Sequence, residues 1–175
     1  MTGFNPKIHH RRSIRLKEYD YSQAGLYFIT ICTHNRERFF GDIDNGKMIF
    51  NHAGIMVENE WLKLKKRYPN IDLHEYIVMP NHFHGIIQIV TNGKPQYGQP
   101  QGIAPTVGNI IGAFKSLVTN EYIRNVKQNN WQRFNRKLWQ RNYYEHIIRD
   151  EKSYLIIAEY IQTNPLKWQN DKYHI

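Results

Sequence analysis

The feature that most constrains this chain is a turn pair set between two runs that read as strands. Leu73 to Met79 and Phe83 to Val90 are rich in β-branched and apolar residues, with Pro80-Asn81 between them. Proline presets the backbone for a turn and asparagine tolerates one, so an antiparallel hairpin is the simplest product. A hairpin alone is marginal in water and needs further strands or a covering helix. The rest of the chain offers both. Leu26 to Thr33 is a continuous apolar and β-branched run bounded by Gly25 and by His34-Asn35-Arg36, which reads as a central strand. Ala53, Met56, Val57, Trp61, Leu64 and Tyr68 recur at helical steps behind a candidate cap, Asn51, until Pro69, so residues 52–68 read as an amphipathic helix. Ile110, Ile111, Phe114, Leu117, Val118 and Tyr122 mark a second helix over 107–123, and a third runs from about Asp150 to Asn164, where Pro165 ends it. Gly41 to Gly46 is turn-rich, and Lys47 to Phe50 is a short strand candidate. In order this gives β, short β, α, β, β, α, short β, α. That is the order of a ferredoxin-like α+β sandwich, a central antiparallel sheet with helices on one face.

Size and charge narrow the partners. The 175 residues, 41% hydrophobic, suffice for one core, so residues 1–175 are expected to form a single domain. Lys and Arg number 24 against 15 Asp and Glu, a formal charge of +9, which favours a polyanion such as nucleic acid. A single cysteine, Cys32, excludes an internal disulfide framework and a multi-thiolate zinc site and fits a reducing interior. No run approaches the roughly 18 apolar residues of a membrane span, and Met1 to Lys17 has no apolar leader core. A cytoplasmic, nucleoid-associated protein with no membrane partner is therefore expected. Residues 1–20 form a basic arm in which Lys7, Arg11, Arg12, Arg15 and Lys17 occur with no acid among them, suited to phosphates or simply a solvated tail. Residues 92–106, rich in Gly and Pro, read as an exposed flexible loop.

Two constellations carry chemistry. His82-Phe83-His84 opens the second arm of the hairpin, where alternation sends both imidazoles to one side and Phe83 to the other. Two nitrogen donors are thereby aimed at one point, although half-buried histidines without a ligand are common. Tyr160 and Asn164, four apart on the last helix, can bring a phenol and an amide oxygen to the same metal or phosphate. Helix grammar alone also accounts for them as a core tyrosine and a helix stop before proline. Between Arg124 and Arg141 lie six cations and no acid, interleaved with Trp131, Phe134 and Trp139. This segment either binds single strands, with rings on bases and cations on phosphates, or covers the sheet.

Taken together, Met79-Pro80-Asn81-His82-Phe83-His84-Gly85, Trp139 to Asp150, and Glu159-Tyr160-Ile161-Gln162-Thr163-Asn164-Pro165 resemble the HUH single-tyrosine transposases, and more narrowly the REP-associated tyrosine transposases. The resemblance spans Gly25 to Lys167 in order and spacing. It implies the HUH endonuclease type of fold, with His82 and His84 as the motif's histidines, Tyr160 as nucleophile and Asn164 as third metal ligand. It also implies metal-dependent cleavage and strand transfer of single-stranded DNA through a 5′-phosphotyrosine, at hairpin-forming or inverted repeats. His146 and Arg149 match a recurrent stretch with no assigned role; the arm before Tyr19 and the loop after Val90 match no motif. Two imidazoles and one amide oxygen, with positions left open, suit Mg²⁺ or Mn²⁺ better than structural zinc. Tyr143, Tyr144 and Tyr154 are rival nucleophiles, but Ile147, Ile148 and Ala158 stand four positions on, where a ligand would be needed. DNA contacts are expected from Arg11, Arg12, Arg15, Lys115, Arg133, Arg136, Lys137 and Arg141, with Trp131 and Trp139 as stacking platforms. A replication-initiator or relaxase-like nickase shares the metal and tyrosine logic, and a non-catalytic or domesticated nucleic-acid-binding protein is the alternative of another class. Monomer and homodimer both remain open.

Overall fold

The computed structural model describes residues 23–90 and 105–174. The basic arm, with Arg11, Arg12 and Arg15, and nearly all of the Gly/Pro loop lie outside the described residues. The hairpin forms as expected: β4 (Ile71–Met79) and β5 (His82–Ile89) pair antiparallel across Pro80-Asn81, with Met79 opposite His82. β1 (Gly25–Cys32) pairs antiparallel with β5 on one side and with β6 (Tyr144–Ile148) on the other. The sheet order is β4-β5-β1-β6, so β1 and β5 are the inner strands, and their continuous apolar runs are buried on both faces.

Gly41 to Phe50 is more ordered than a turn followed by one strand. It is a two-stranded hairpin, β2 (Gly41–Asp44) and β3 (Lys47–Phe50), closed by Asn45 and Gly46 at φ 48° and 72°. Two consecutive left-handed residues are what a tight hairpin turn needs, and Asn-Gly supplies them at the least steric cost.

The helices start on caps that the sequence announces. Asn51 accepts from Gly54 N at 2.9 Å to open α1 (His52–Arg67), and Asp150 accepts from Ser153 N at 2.8 Å to open α3 (Glu151–Thr163). Thr106 opens α2 (Val107–Gln128), which runs past Ile123 because Val126 packs on the core.

The helices do not all lie on one face. The two crossover helices, α1 and α2, cover the face that carries Tyr27, Ile29, Ile31, Phe83 and Ile87. Alternation sends Phe28 and Ile86 to the opposite face, where they meet Ile148 and, from α3, Ile161. The expected one-sided arrangement holds for the crossovers and fails for α3. That helix follows the last strand and is free to take the other side.

On the first face Trp61 is the hub, with ring centroids 4.5 Å from Phe83 and 5.4 Å from Phe114. Gly85 makes room for it: a Cβ there would come within 2.7 Å of the Trp61 ring and 2.8 Å of Phe83. Among the described residues no helix is long and apolar enough to cross a membrane.

Candidate functional site

The second face turns polar at the β5 end nearest the hairpin turn. His82 and His84 both point there and are 0% and 1% exposed, with ring centroids 4.6 Å apart. Each ring is held by its Nδ1. His82 Nδ1 lies 2.8 Å from Asn81 Oδ1, and His84 Nδ1 lies 2.8 Å from Thr30 Oγ1 on β1. The Asn81 amide is oriented in turn because its Nδ2 donates to the carbonyls of Arg36 and Tyr173 at 3.1 and 2.8 Å. An amide oxygen only accepts, so His82 Nδ1 carries the proton and Nε2 keeps a lone pair. Burial drives the pKa of His82 down to about 4, against the opposing pull of the Asp171 carboxylate. Burial, and then His82 itself, pushes His84 well below the ordinary range. Both imidazoles are neutral at neutral pH, the state in which they bind cations.

α3 brings the next two groups. Tyr160 Oη is 3.3 Å from His84 Nε2, and its ring stands edge-on to Phe28 at 6.2 Å. The phenol is pushed up to about 12, first by burial and then by the charges of Asp171 and Tyr173, so it is protonated at neutral pH. Asn164, 1% exposed, caps the helix end and donates through Nδ2 to Asp171 Oδ2 at 3.0 Å. Its Oδ1 is buried with no hydrogen-bond partner, as is His82 Nε2. Two lone-pair groups without a donor in a dry site would be costly, and a cation satisfies both.

The 3-10 segment Pro165–Asn170 then turns the chain back over the site. His82, His84 and Asp171 offer ligand atoms within 4.8 Å of one another, the one such trio among the described residues. Asp171 Oδ1 accepts from Tyr173 N at 2.6 Å, and the Tyr173 ring lies 4.7 Å from His82 and 5.8 Å from His84. Burial drives the Tyr173 phenol up to about 12. Arg36 and Lys172 flank that ring at 5.6 and 4.9 Å, and their positive charges reach His82.

Tyr160, His82, His84 and Asn164 are thus brought together, whereas Asp171, Tyr173, Asn81 and Thr30 escaped sequence reasoning. Asn81 was visible as a turn residue and as part of the motif around the histidines, without a role of its own. Asp171 had one faint signal: it is the sole acid between Leu166 and Ile175. Two of the rival tyrosines are engaged elsewhere, and the third, Tyr144, stands exposed at the edge of the site, its ring 6.0 Å from Lys172 Nζ. Tyr154 donates to Glu75 at 2.5 Å and Tyr143 to Glu145 at 2.7 Å, while Tyr144 is 48% exposed beside Phe28.

The expected DNA contacts divide. Trp139 is 4% exposed and packs 5.2 Å from Phe40, so its ring belongs to the core and cannot stack on a base. Lys115 donates to the carbonyls of Gln140 and Arg141 at 2.7 and 3.0 Å, and burial lowers its pKa to about 8, so it braces a loop rather than offering a free charge. Trp131 is half-buried, edge-on to Tyr122 at 5.2 Å. Arg133, Arg136, Lys137 and Arg141 are exposed. The last three, with Phe134, line an open groove of about 380 Å³ beside α2, with no acid in its walls.

The sheet order and the buried histidine pair on an inner strand define the class: an α+β protein with the HUH type of fold. No family model matches the chain. It is 44% identical over 187 positions to an uncharacterized protein of Haemophilus influenzae, covering 99% of this chain and 98% of that one, and it belongs to that protein's family. A second Haemophilus influenzae protein carries the provisional name of REP-associated tyrosine transposase. It is 26% identical over 152 residues, 85% of this chain and 74% of that protein. A solved REP-associated tyrosine transposase bound to a REP hairpin has the same fold. Its TM-score is 0.59 at 20% identity, over 91% of this chain and 77% of that one. The chain is a relative of the REP-associated tyrosine transposases by sequence and by fold.

Proposed function

We propose that this protein cleaves and rejoins single-stranded DNA at hairpin-forming repeats, with Tyr160 as nucleophile and a divalent ion, Mg²⁺ or Mn²⁺, held by His82, His84 and Asn164. One contact carries the reading: Tyr160 Oη sits 3.3 Å from Nε2 of a buried, neutral histidine of the same chain. The relative solved with a REP hairpin points to structured single strands as the substrate class.

The residues divide the work. Asn81 and Thr30 hold the imidazoles by Nδ1 and turn Nε2 toward the site. A bound divalent ion supplies Lewis acidity to the phosphoryl oxygen and favours the phenolate of a tyrosine that is otherwise protonated. Tyr160 Oη forms the new ester bond to phosphorus, and the 3′ oxygen departs and takes up a proton as a 3′-hydroxyl. A 5′-phosphotyrosine remains. The phenolate is a better leaving group than an alkoxide, so a DNA 3′-hydroxyl can reverse the step and rejoin the strand. Arg36 and Lys172, beside the Tyr173 ring, would meet a phosphate at the site, and Arg136, Lys137 and Arg141 offer the strand a basic track. Because one chain supplies both histidine and tyrosine, a monomer suffices.

The test is a covalent-adduct assay on a denaturing gel, using hairpin oligonucleotides from the flanks of the gene. Wild type with Mg²⁺ or Mn²⁺ is expected to yield a protein–DNA band that chelator removes and that Tyr160→Phe reduces to background. A band that survives in Tyr160→Phe assigns the nucleophile elsewhere, with Tyr173 the first alternative. Tight binding with no band on any substrate would identify a nucleic-acid-binding protein instead.

A further inference from the structure

We propose that Asp171 is itself a ligand of the metal centre, so that the ion is held by two imidazoles, an amide oxygen and a carboxylate. The inference rests on the metal-centre reading above and adds to it a residue on the far side of the helix-ending proline.

Three observations carry it. A carboxylate oxygen of Asp171 and a nitrogen of each of His82 and His84 lie within 4.8 Å of one another, a separation that one small cation can bridge. Two of the surrounding donor atoms, His82 Nε2 and Asn164 Oδ1, are buried without a partner, in residues 0% and 1% exposed. The Asp171 carboxylate is also held in place: Oδ1 accepts from Tyr173 N at 2.6 Å and Oδ2 from Asn164 Nδ2 at 3.0 Å. An ionised carboxylate has about four lone-pair sites, so two N–H donors fix its plane and leave each oxygen able to ligate. The Asn164 bond does a second service, because an amide that donates through Nδ2 to Asp171 turns its Oδ1 away toward the histidines.

The chemistry favours the same conclusion. Two imidazoles and an amide bring no charge, so a divalent ion among them would keep its full charge in a buried site, at high desolvation cost. A carboxylate halves that charge. A set of imidazole nitrogens and carboxylate oxygens with open positions suits ions of the Mn²⁺ and Fe²⁺ kind.

The experiment is calorimetric titration of Mn²⁺ into the full chain without DNA, comparing wild type, His82→Ala and Asp171→Asn, each checked for folding by circular dichroism. Asp171→Asn keeps the size and one acceptor oxygen; it removes the charge and, with it, one of the two bonds from Tyr173 N and Asn164 Nδ2, which is why folding is checked and the coordination sphere is read separately in wild type. It is expected to weaken Mn²⁺ binding by at least about tenfold, the scale on which ligand environments act. A crystal structure of Mn²⁺-loaded wild type is expected to put an Asp171 oxygen in the coordination sphere, and this readout does not depend on any variant folding. If Asp171→Asn binds within twofold of wild type, or the ion is held with Asp171 outside the sphere, Asp171 is not a ligand and the centre is the three-residue one. If folded wild type takes up no more Mn²⁺ than His82→Ala, the metal centre itself fails, a result distinct from failure of Asp171 alone.

Discussion

The two faces of the sheet are made by the same strands and built to opposite rules. Under α1 and α2, Tyr27, Ile29, Ile31 and Phe83 meet Trp61 and Phe114 in a dry aromatic core. On the α3 face the apolar cluster is small, Phe28, Ile86, Ile148 and Ile161, and it gives way to Thr30, His82, His84 and Asn164, all buried and polar. β5 alternates between the two, with Phe83 and Ile87 on one side and His82, His84 and Ile86 on the other. The comparison teaches which unpaired atoms each face carries: the aromatic core leaves two indole donors, Trp61 Nε1 and Trp139 Nε1, and the α3 face two acceptors, His82 Nε2 and Asn164 Oδ1. A face that contributes most of the packing leaves the other free to hold lone pairs in a dry site, which a uniformly marginal fold could not tolerate.

Substitutions that strike one face and spare the other test this division. The largest effect on stability is expected from Trp61→Ala, about 3–5 kcal/mol by denaturant unfolding, because it empties the hub of the core. If it costs under 1 kcal/mol, the aromatic face is not the main support. Next comes the pH response of the ion-free protein. Burial lowers His82 to about 4 from an ordinary 6.5, so between those values the unfolded chain binds the proton and the folded one does not. Stability is therefore full above about pH 6.5 and falls as pH drops toward 4. His84 shifts in the same direction, so the pair loses stability together as the pH falls. Urea titrations in chelator across that range, with His82→Asn expected to flatten the slope, check the sign. The smallest effect is expected from Gly85→Ala, about 1–3 kcal/mol, since the added methyl must displace the Trp61 ring. Its strand neighbours His82 and His84 face the other way, so Mn²⁺ binding by the folded variant is expected to stay near wild type.

Much of this was legible because local patterns carried it. Pro80-Asn81 announced the hairpin, the 3.6-residue periodicity announced α1 and α2, and the family resemblance of the segments around His82, His84, Tyr160 and Asn164 singled out four groups that the fold places side by side. What stayed hidden depended on contacts between distant segments. Nothing near Trp139 or Lys115 says that one fills the core edge beside Phe40 and the other spends its charge on two carbonyls. The choice of face by α3 depends on Phe28, Ile86 and Ile148 from three strands converging on Ile161. Asp171 and Tyr173 gain meaning only when the chain after Pro165 folds back over residues some ninety positions earlier, and no periodicity marks a return of that kind.

The Asn81 carboxamide, met earlier as the tether of one imidazole, joins three segments at once: Arg36 after β1, its own hairpin turn, and Tyr173 in the returning tail. All three bonds depend on one planar group, so none can break by rotation without loosening the others. The loop at Arg36 and the tail at Tyr173 are therefore fastened to each other through one side chain at the tip of a hairpin, and Arg36 fastens them a second time by donating to the Lys172 carbonyl at 2.8 Å.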